Sequence, residues 1–431
     1  MRVLVLGAYG LIGSAIVARL LERGHQVIGL GRDIETASRS CPDVRWIARD
    51  LRDTTHETDW IGLLEGVGAV VNAAGALQDG PRDDLEAVHV RAPLALYRAC
   101  ERIGPRRVVH ISAAGTGPER TGIFSSSKYR LDTALEQSDL DATILRPGLV
   151  FGPQAYGGSA LLRALAALPF FTPIVANDAT IQLVALSDIA ETVIRAIEAK
   201  EPRRGTFDLV HEEHLTLAEI VTSLRAWLGL PPAPVLFVSP RLAAIAGGIA
   251  DLLACLGWRS PMRGMTLTQL QQSVTGDPRD WMATFGMVPK SFGETLLANP
   301  AGVQDRWFAR LYLFKPAALA GLAFFWVVSG LTGLYRHGQA VQILEAAAFP
   351  KVVALAAVVI GSLLDLLVGL AVCFRKQAPA ALVGMILMSS FYLVAGSFAR
   401  PDLWVDPLGP YTKVLPAMLL ALATLAIMDE R

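Results

Sequence analysis

The sequence lacks most of what would mark a secreted or a nucleic-acid-binding protein. Its four cysteines, Cys41, Cys100, Cys255 and Cys373, share no paired spacing. That argues against a disulfide framework and a thiolate zinc site, and fits a reducing compartment. Basic and acidic residues balance at 39 each, so no electropositive surface for nucleic acid is expected. Internal repeats and low-complexity tracts are missing too. The opening MRVLVLGAYG has no small-residue cleavage pattern and runs into a glycine turn, so it reads as a buried strand and not as a secretory signal. Charge of either sign is scarce, at 18% against 52% apolar residues, which is too little for an ordinary soluble enzyme. The scarcity is uneven. Up to about residue 310 charged and turn residues interleave with apolar runs, and beyond it uncharged stretches dominate. At 431 residues the chain has room for two or three domains.

What is present at the N-terminus is a strand, a tight turn, a helix and a second strand, VLVLGAYGLIGSAIVARLLERGHQVIGLGR. Apolar residues Ile16, Val17, Leu20 and Leu21 recur at helical spacing, and Gly24 ends the helix. Gly7, Gly10 and Gly13 fall in the turn, where they allow positive φ, close approach of a pyrophosphate and tight packing of helix on strand. Leu11 and Ile12 open the helix, whose first-turn N–H groups suit phosphate oxygens. In this setting the glycines point to a dinucleotide. The second strand ends at Gly31 and Arg32, a cation suited to a 2′-phosphate, so NADP(H) is favoured. Asp33 follows, which leaves NAD(H) open. Asp50 and Leu51 end a third strand where a carboxylate could accept from the adenine amino group. Asn72, Ala73, Ala74 and Gly75 close a fourth at the carboxyl edge, where such sheets bind ligands.

The glycine spacing, the Asp50–Leu51 pair, the NAAG loop, RVVHISAAG and LRPGLVFGP resemble the extended and atypical short-chain dehydrogenases/reductases. IQLVALSDIAETV, GTFDLV, LTLAEIV and FGMVPKSFGETL agree with that family's C-terminal part, so the likeness covers residues 1–300. The atypical branch that includes the NADPH-binding accessory subunit of respiratory complex I looks similar. The resemblance implies a Rossmann-type doubly wound parallel sheet, with substrate-side parts at about 150–175 and 205–300. It implies that Ser112 and Lys128 are the family's serine and lysine and that Pro147 adjoins the cofactor.

The family's tyrosine is the missing piece. In ISAAGTGPERTGIFSSSKYRLD, Phe124 stands four residues before Lys128, where the Y-x-x-x-K pattern has its proton donor. Phenylalanine has no ionisable group, so a general acid–base contribution of about a hundred- to ten-thousand-fold is absent at that position. Tyr129 lies about 140° around the helix from Phe124 and should face elsewhere; Tyr9, inside the glycine turn, is expected to pack there. Two readings follow. In one, the cofactor is held for structure or redox sensing. In the other, an NADPH-dependent oxidoreductase acts on a quinone or lipid-soluble carbonyl, with Ser112 polarising the acceptor and the proton coming from elsewhere. His211 and His214 have an H-x-x-H spacing without a visible third ligand, so no metal site is expected.

The C-terminal part, 301–431, reads as an all-α transmembrane four-helix domain with spans at about 316–334, 352–374, 378–399 and 411–428. It resembles the DoxX-like membrane domains, some relatives of which are associated with quinone-linked oxidation. The lipid bilayer is thus an expected partner, alongside a quinone or lipid substrate or a membrane protein. Cofactor and cysteines put the first domain in the cytosol, giving a multi-pass protein of an inner or cytoplasmic membrane. The flanking basic residues lean weakly the same way. Asp365, inside the second span, is costly there if ionised, and Ser389, Ser390 and Tyr392 are expected partners. LAAIAGGIADLLACLGW, residues 242–258, is too short and too broken to be a span; it reads as a core helix or, in preference, as a helix lying at the membrane surface beside the substrate mouth.

Overall fold

The computed structural model describes residues 1–76, 84–118, 122–175, 179–258, 273–407 and 409–429. Part of the expected substrate-side segment, 259–272, lies outside them. The described chain divides into two compact units. One is Met1–Asp251 with Pro261–Asp305, and the other is Leu252–Ser260 with Arg306–Arg431.

The first unit is built on a seven-stranded parallel sheet. Its strands are β1 (Arg2–Leu6), β2 (Gln26–Gly31), β3 (Arg45–Ala48), β4 (Ala69–Asn72), β5 (Arg107–Ile111), β6 (Asp141–Pro147) and a last strand at Gly205–Leu209. Their spatial order runs Gly205–Leu209, β6, β5, β4, β1, β2, β3, so the chain reverses direction across the sheet between β1 and β4. Helices cover both faces. On one, α1 (Leu11–Glu22) and a helix at Leu186–Glu198 bury Ile16, Val17, Leu20, Ile189 and Val193 against Val3 and Val5. On the other, α2 (Ala92–Ile103) and α3 (Ile123–Glu136) pack Leu96, Leu131 and Leu135 against Leu4, Leu6 and Val108. This is the doubly wound Rossmann-type arrangement, and it requires strands that are apolar on both faces, as VLVL in β1 and AVV in β4 are.

The second unit is helical. The first long helix runs Val303–Tyr335 with Pro316 inside it, well beyond the expected 316–334. Asp305, Arg306, Arg310 and Lys315 all fall in its first part, and from Pro316 onward it carries no charge. A second long helix runs Lys351–Ala371 and a third Ala378–Ala399. These three are long and apolar enough to cross a membrane. The expected fourth span is a helix of only 13 residues, Val414–Ala426, preceded by turns rather than helix at Tyr411–Lys413. By length it does not cross a hydrocarbon core of about 30 Å unaided. Between the first two long helices lies a ten-residue helix, His337–Ala346. The unit keeps a small core around Leu322, Trp326, Leu382 and Met385 and turns large apolar side chains such as Phe325, Leu367 and Phe391 outward. An apolar exterior over a modest interior is what lipid rather than water selects.

Asp365 sits where three of these helices meet. Ser329 Oγ donates to its Oδ2 at 2.8 Å and Tyr392 OH to its Oδ1 at 2.9 Å. Of the expected partners Tyr392 is therefore present. Ser390 instead donates to the Ile386 carbonyl, one turn back on its own helix, and Ser329 supplies the second bond.

Candidate dinucleotide site

The glycine turn is shaped by close approach. Gly7 has φ of 67°, and a Cβ there would lie 2.8 Å from Ala73 O. A Cβ on Gly13 would lie 2.1 Å from Gly7 O, so helix and strand can meet only without one. Gly10 differs. Its added Cβ would meet only Gly7 O, at 3.2 Å, so the space beside it is open. Gly10 is also the N-cap of α1 and provides no side-chain cap. The first-turn amides at Leu11, Ile12 and Gly13 are left to an outside acceptor, as a pyrophosphate cradle demands.

Tyr9 closes the far side of the turn. Its hydroxyl accepts from the backbone N–H groups of Arg32 at 3.2 Å and Asp33 at 3.4 Å. A Cβ on Gly31 would come within 2.1 Å of its ring, which explains the glycine. Tyr9 thus packs on the end of β2 and fixes the backbone that carries Arg32. The Asp50 carboxylate accepts from Arg52 through its backbone N–H at 3.0 Å, Nε at 3.0 Å and Nη2 at 2.7 Å. Burial pushes the Asp50 pKa up, the Arg52 hydrogen bonds pull it down, and the net shift is downward. An adenine amino group would share this carboxylate with Arg52. Leu51 is buried beside it.

Under the NAAG loop, Asn72 faces inward. Its Nδ2 donates to Tyr97 OH at 3.0 Å and its Oδ1 accepts from Ala74 N at 3.1 Å. It supports the loop from below. Ala73 and Gly75 form the loop's outer edge; a Cβ on Gly75 would lie 3.8 Å from both Lys128 Nζ and His89 Nε2. Pro147 closes β6, and its carbonyl accepts from Ala114 N at 2.8 Å.

Ser112 and Lys128, at the positions expected to be catalytic, are held from within the protein. Lys128 Nζ donates to the Ile111 carbonyl at 2.9 Å, and burial lowers its pKa to about 8 against the opposing pull of Asp132. Ser112 Oγ donates to Asp132 Oδ2 at 2.8 Å, and Arg146 Nε donates to the same oxygen at 2.8 Å. Burial raises the Asp132 pKa against the influence of Arg146 and Ser112. His110 Nε2 stands 3.6 Å from Asp132 Oδ1. Tyr97 and Asn72 approach its Nδ1 at 3.2 and 3.4 Å. This Ser–Asp–Arg–His group escapes the motif, although Asp132, one turn beyond Lys128 on the same helix, is visible in the sequence.

Phe124 packs edge-on against His89, with ring centroids 5.5 Å apart. His89 lies in a π-helical turn, Ala87–Arg91. Its Nε2 accepts from Ala76 N at 3.1 Å, so the ring proton is on Nδ1 and goes to Ser127 Oγ at 2.9 Å. Ser127 Oγ in turn donates to the Phe124 carbonyl at 2.9 Å. Burial and the Lys128 charge hold the His89 pKa down to about 2, so it is neutral at physiological pH and is no acid to replace the tyrosine. His211 accepts from Glu213 N through Nδ1 at 3.1 Å. Among the described residues no group of three or more His, Cys, Asp or Glu side chains is placed to hold a metal ion.

Residues 3–207 match the family described as the NAD dependent epimerase/dehydratase family, and residues 323–422 match the DoxX-like family. The chain therefore joins a short-chain dehydrogenase/reductase-like domain of the epimerase/dehydratase family to a DoxX-like membrane domain. Sterol demethylase protein B of Methylococcus capsulatus is 29% identical over 269 residues, which are 56% of this chain and 79% of that protein. UDP-glucose 4-epimerase of Mycolicibacterium smegmatis is 27% identical over 303 residues, 60% of this chain and 93% of that enzyme. Among solved structures, the UDP-glucose 4-epimerase of Thermus thermophilus in complex with NAD is 24% identical with a TM-score of 0.52. It covers 72% of this chain and 99% of that one, a likeness of fold.

Proposed function

We propose that this is a membrane-anchored protein whose α/β domain binds a nicotinamide dinucleotide, NADP(H) in preference to NAD(H), for structure or redox sensing. The observation that carries the reading is the commitment of the family's chemical groups to internal bonds. Ser112 donates to Asp132, Lys128 donates to Ile111 O, and Phe124 stands in the tyrosine position. A bound nicotinamide would supply hydride chemistry, but the side chains around it would supply no conventional proton donor.

In this reading Gly7, Gly10, Leu11, Ile12 and Gly13 cradle the pyrophosphate, Arg32 meets the 2′-phosphate, and Asp50 and Leu51 border the adenine. Asn72 to Gly75 and Pro147 line the nicotinamide side, with Lys128 at its ribose. The domain extends over residues 1–300 and the membrane domain over 301–431. The short helix Val414–Ala426 is completed to a fourth crossing by its flanking turns, with Lys413 reaching the interface. The α/β domain then faces the cytosol at an inner or cytoplasmic membrane, and its output is contact with a membrane protein partner.

A second reading has specific support. The sterol demethylase relative bears a name tied to a lipid-soluble substrate, and a membrane-anchored reductase acting on a quinone or lipid-soluble carbonyl would meet its acceptor at the bilayer. Full-length protein in detergent, titrated with NADPH and NADH by nicotinamide fluorescence and then challenged with quinone and carbonyl acceptors, separates the two. Binding without acceptor-dependent oxidation supports sensing or structure; oxidation lost in Gly10→Asp supports the reductase.

A further inference from the structure

The helix at Pro240–Cys255 is amphipathic in the reverse of the usual sense. Its large apolar residues Leu242, Ile245, Ile249 and Leu252 share one face at spacings of three and four, and all are exposed, Ile245 by 61%. The opposite face, Ala243, Gly247, Ala250 and Ala254, is buried. A helix on a water-facing surface would bury the large side chains and expose the small ones. The exposed face continues in the ribbon just before the helix, where Val235–Val238 pairs in parallel with Thr172–Val175. There Phe237 is 64% exposed and Phe170 80%.

The end of the helix says what covers this face. In the helical unit, Trp258 Nε1 donates to the Cys373 carbonyl at 2.7 Å, and Arg375 N donates to the Leu256 carbonyl at 3.0 Å. The Arg375 guanidinium lies over the Trp258 ring at 5.6 Å. Cys373 and Arg375 follow the membrane helix Lys351–Ala371 directly, and Arg375 with Lys376 are the charges that end its apolar run. Tryptophan and arginine at such a point mark the headgroup level. A helix of 16 residues, about 24 Å long, is too short to cross from there. We infer that the outer face of helix Pro240–Cys255, together with Phe237 and Phe170, is immersed in the headgroup and upper acyl region of the bilayer. Arg241 and Asp251 are its only charged residues, so the attachment works through apolar area and takes a neutral lipid surface as readily as an anionic one.

The test uses the full chain in phosphatidylcholine nanodiscs, with Cys41, Cys100, Cys255 and Cys373 replaced by alanine. An environment-sensitive fluorophore is attached at Ile245→Cys or Phe237→Cys. Glu35→Cys, exposed on a short helix of the α/β unit, is the aqueous control, and Ala243→Cys the buried one. Doxyl-labelled lipid should quench the two test positions about twofold or more, and aqueous iodide should reach them poorly. Iodide quenching equal to that at Glu35→Cys would overturn the inference. So would shielding from iodide without lipid quenching, because a second copy or the segment 259–272 would then be the cover. Neither arm uses a dinucleotide, so the result stands apart from the proposed cofactor role. Thermal melting of each labelled chain against the native protein shows whether it is folded.

Discussion

Ser112 and Asp132 are joined by a hydrogen bond of 2.8 Å in which the serine hydroxyl donates to a carboxylate with no solvent exposure. A hydroxyl has one proton, so while this bond holds Ser112 cannot also donate to a substrate carbonyl. The serine that marks the family's chemistry is part of the protein's interior wiring. Removing the carboxylate should therefore be costly. Asp132→Ala strands Arg146 and Ser112, and is expected to lower stability by about 3 kcal/mol, read as a drop in melting temperature in detergent. Asp132→Asn should cost less, because it still accepts from Ser112.

Lys128 gives a pH dependence with a definite sign. Its pKa is depressed to about 8 by burial, so the ammonium is lost as pH rises through that value. If the ammonium holds the nicotinamide ribose, NADPH affinity should fall about tenfold across the transition, the loss of one charged hydrogen bond. Calorimetric titration from neutral to alkaline pH would show the inflection. Lys128→Met should bind weakly at every pH and show none.

The glycine turn separates folding from binding. Gly13→Ala forces a Cβ to within 2.1 Å of Gly7 O and should unfold the turn. Gly10→Asp meets only Gly7 O at 3.2 Å, so the fold should survive. Its carboxylate would face the phosphates, and a loss of affinity of about a hundredfold is expected. Thermal melting paired with NADPH titration distinguishes the two.

Arg32 tests the choice of cofactor. Arg32→Ala should weaken NADPH by about tenfold, one charge-assisted phosphate contact, and leave NADH nearly unchanged. Equal effects on both dinucleotides would show that Arg32 does not meet a 2′-phosphate.

In the membrane unit, Asp365 accepts from Ser329 and Tyr392 on two neighbouring helices. Asp365→Leu removes both bonds and should cost about 1 kcal/mol in a detergent unfolding titration. Asp365→Asn keeps one acceptor and should lie between the variant and the native protein.

The elements most legible in the sequence are those set by local constraints. The glycines of the first turn, the apolar strands and the uncharged stretches each depend on near neighbours, and the helix Ala378–Ala399 falls on the expected residues. Helix ends were less legible. The charged Val303–Lys315 segment continues into a membrane helix because nothing in it breaks the backbone pattern, and even Pro316 is accommodated. The 13 residues of Val414–Ala426 show the opposite, an apolar stretch whose expected first turn at Tyr411–Lys413 is not helical. Contacts between distant segments were the least legible. Ser112 with Asp132, His89 with Ala76 and Tyr9 with Arg32 depend on how strands and helices dock, which no local spacing encodes.

The most direct test of the central claim is to restore the missing tyrosine. Full-length native protein and Phe124→Tyr, both loaded with NADPH, would be compared for oxidation of the nicotinamide by quinone and carbonyl acceptors. With Ser112 bonded to Asp132 and His89 held neutral, the account predicts tight binding, no acceptor-dependent oxidation by the native protein, and little gain from the tyrosine. Acceptor-dependent turnover by the native chain, or a gain approaching the hundred- to ten-thousand-fold scale of general acid catalysis in Phe124→Tyr, would contradict it and identify the site as that of a working reductase.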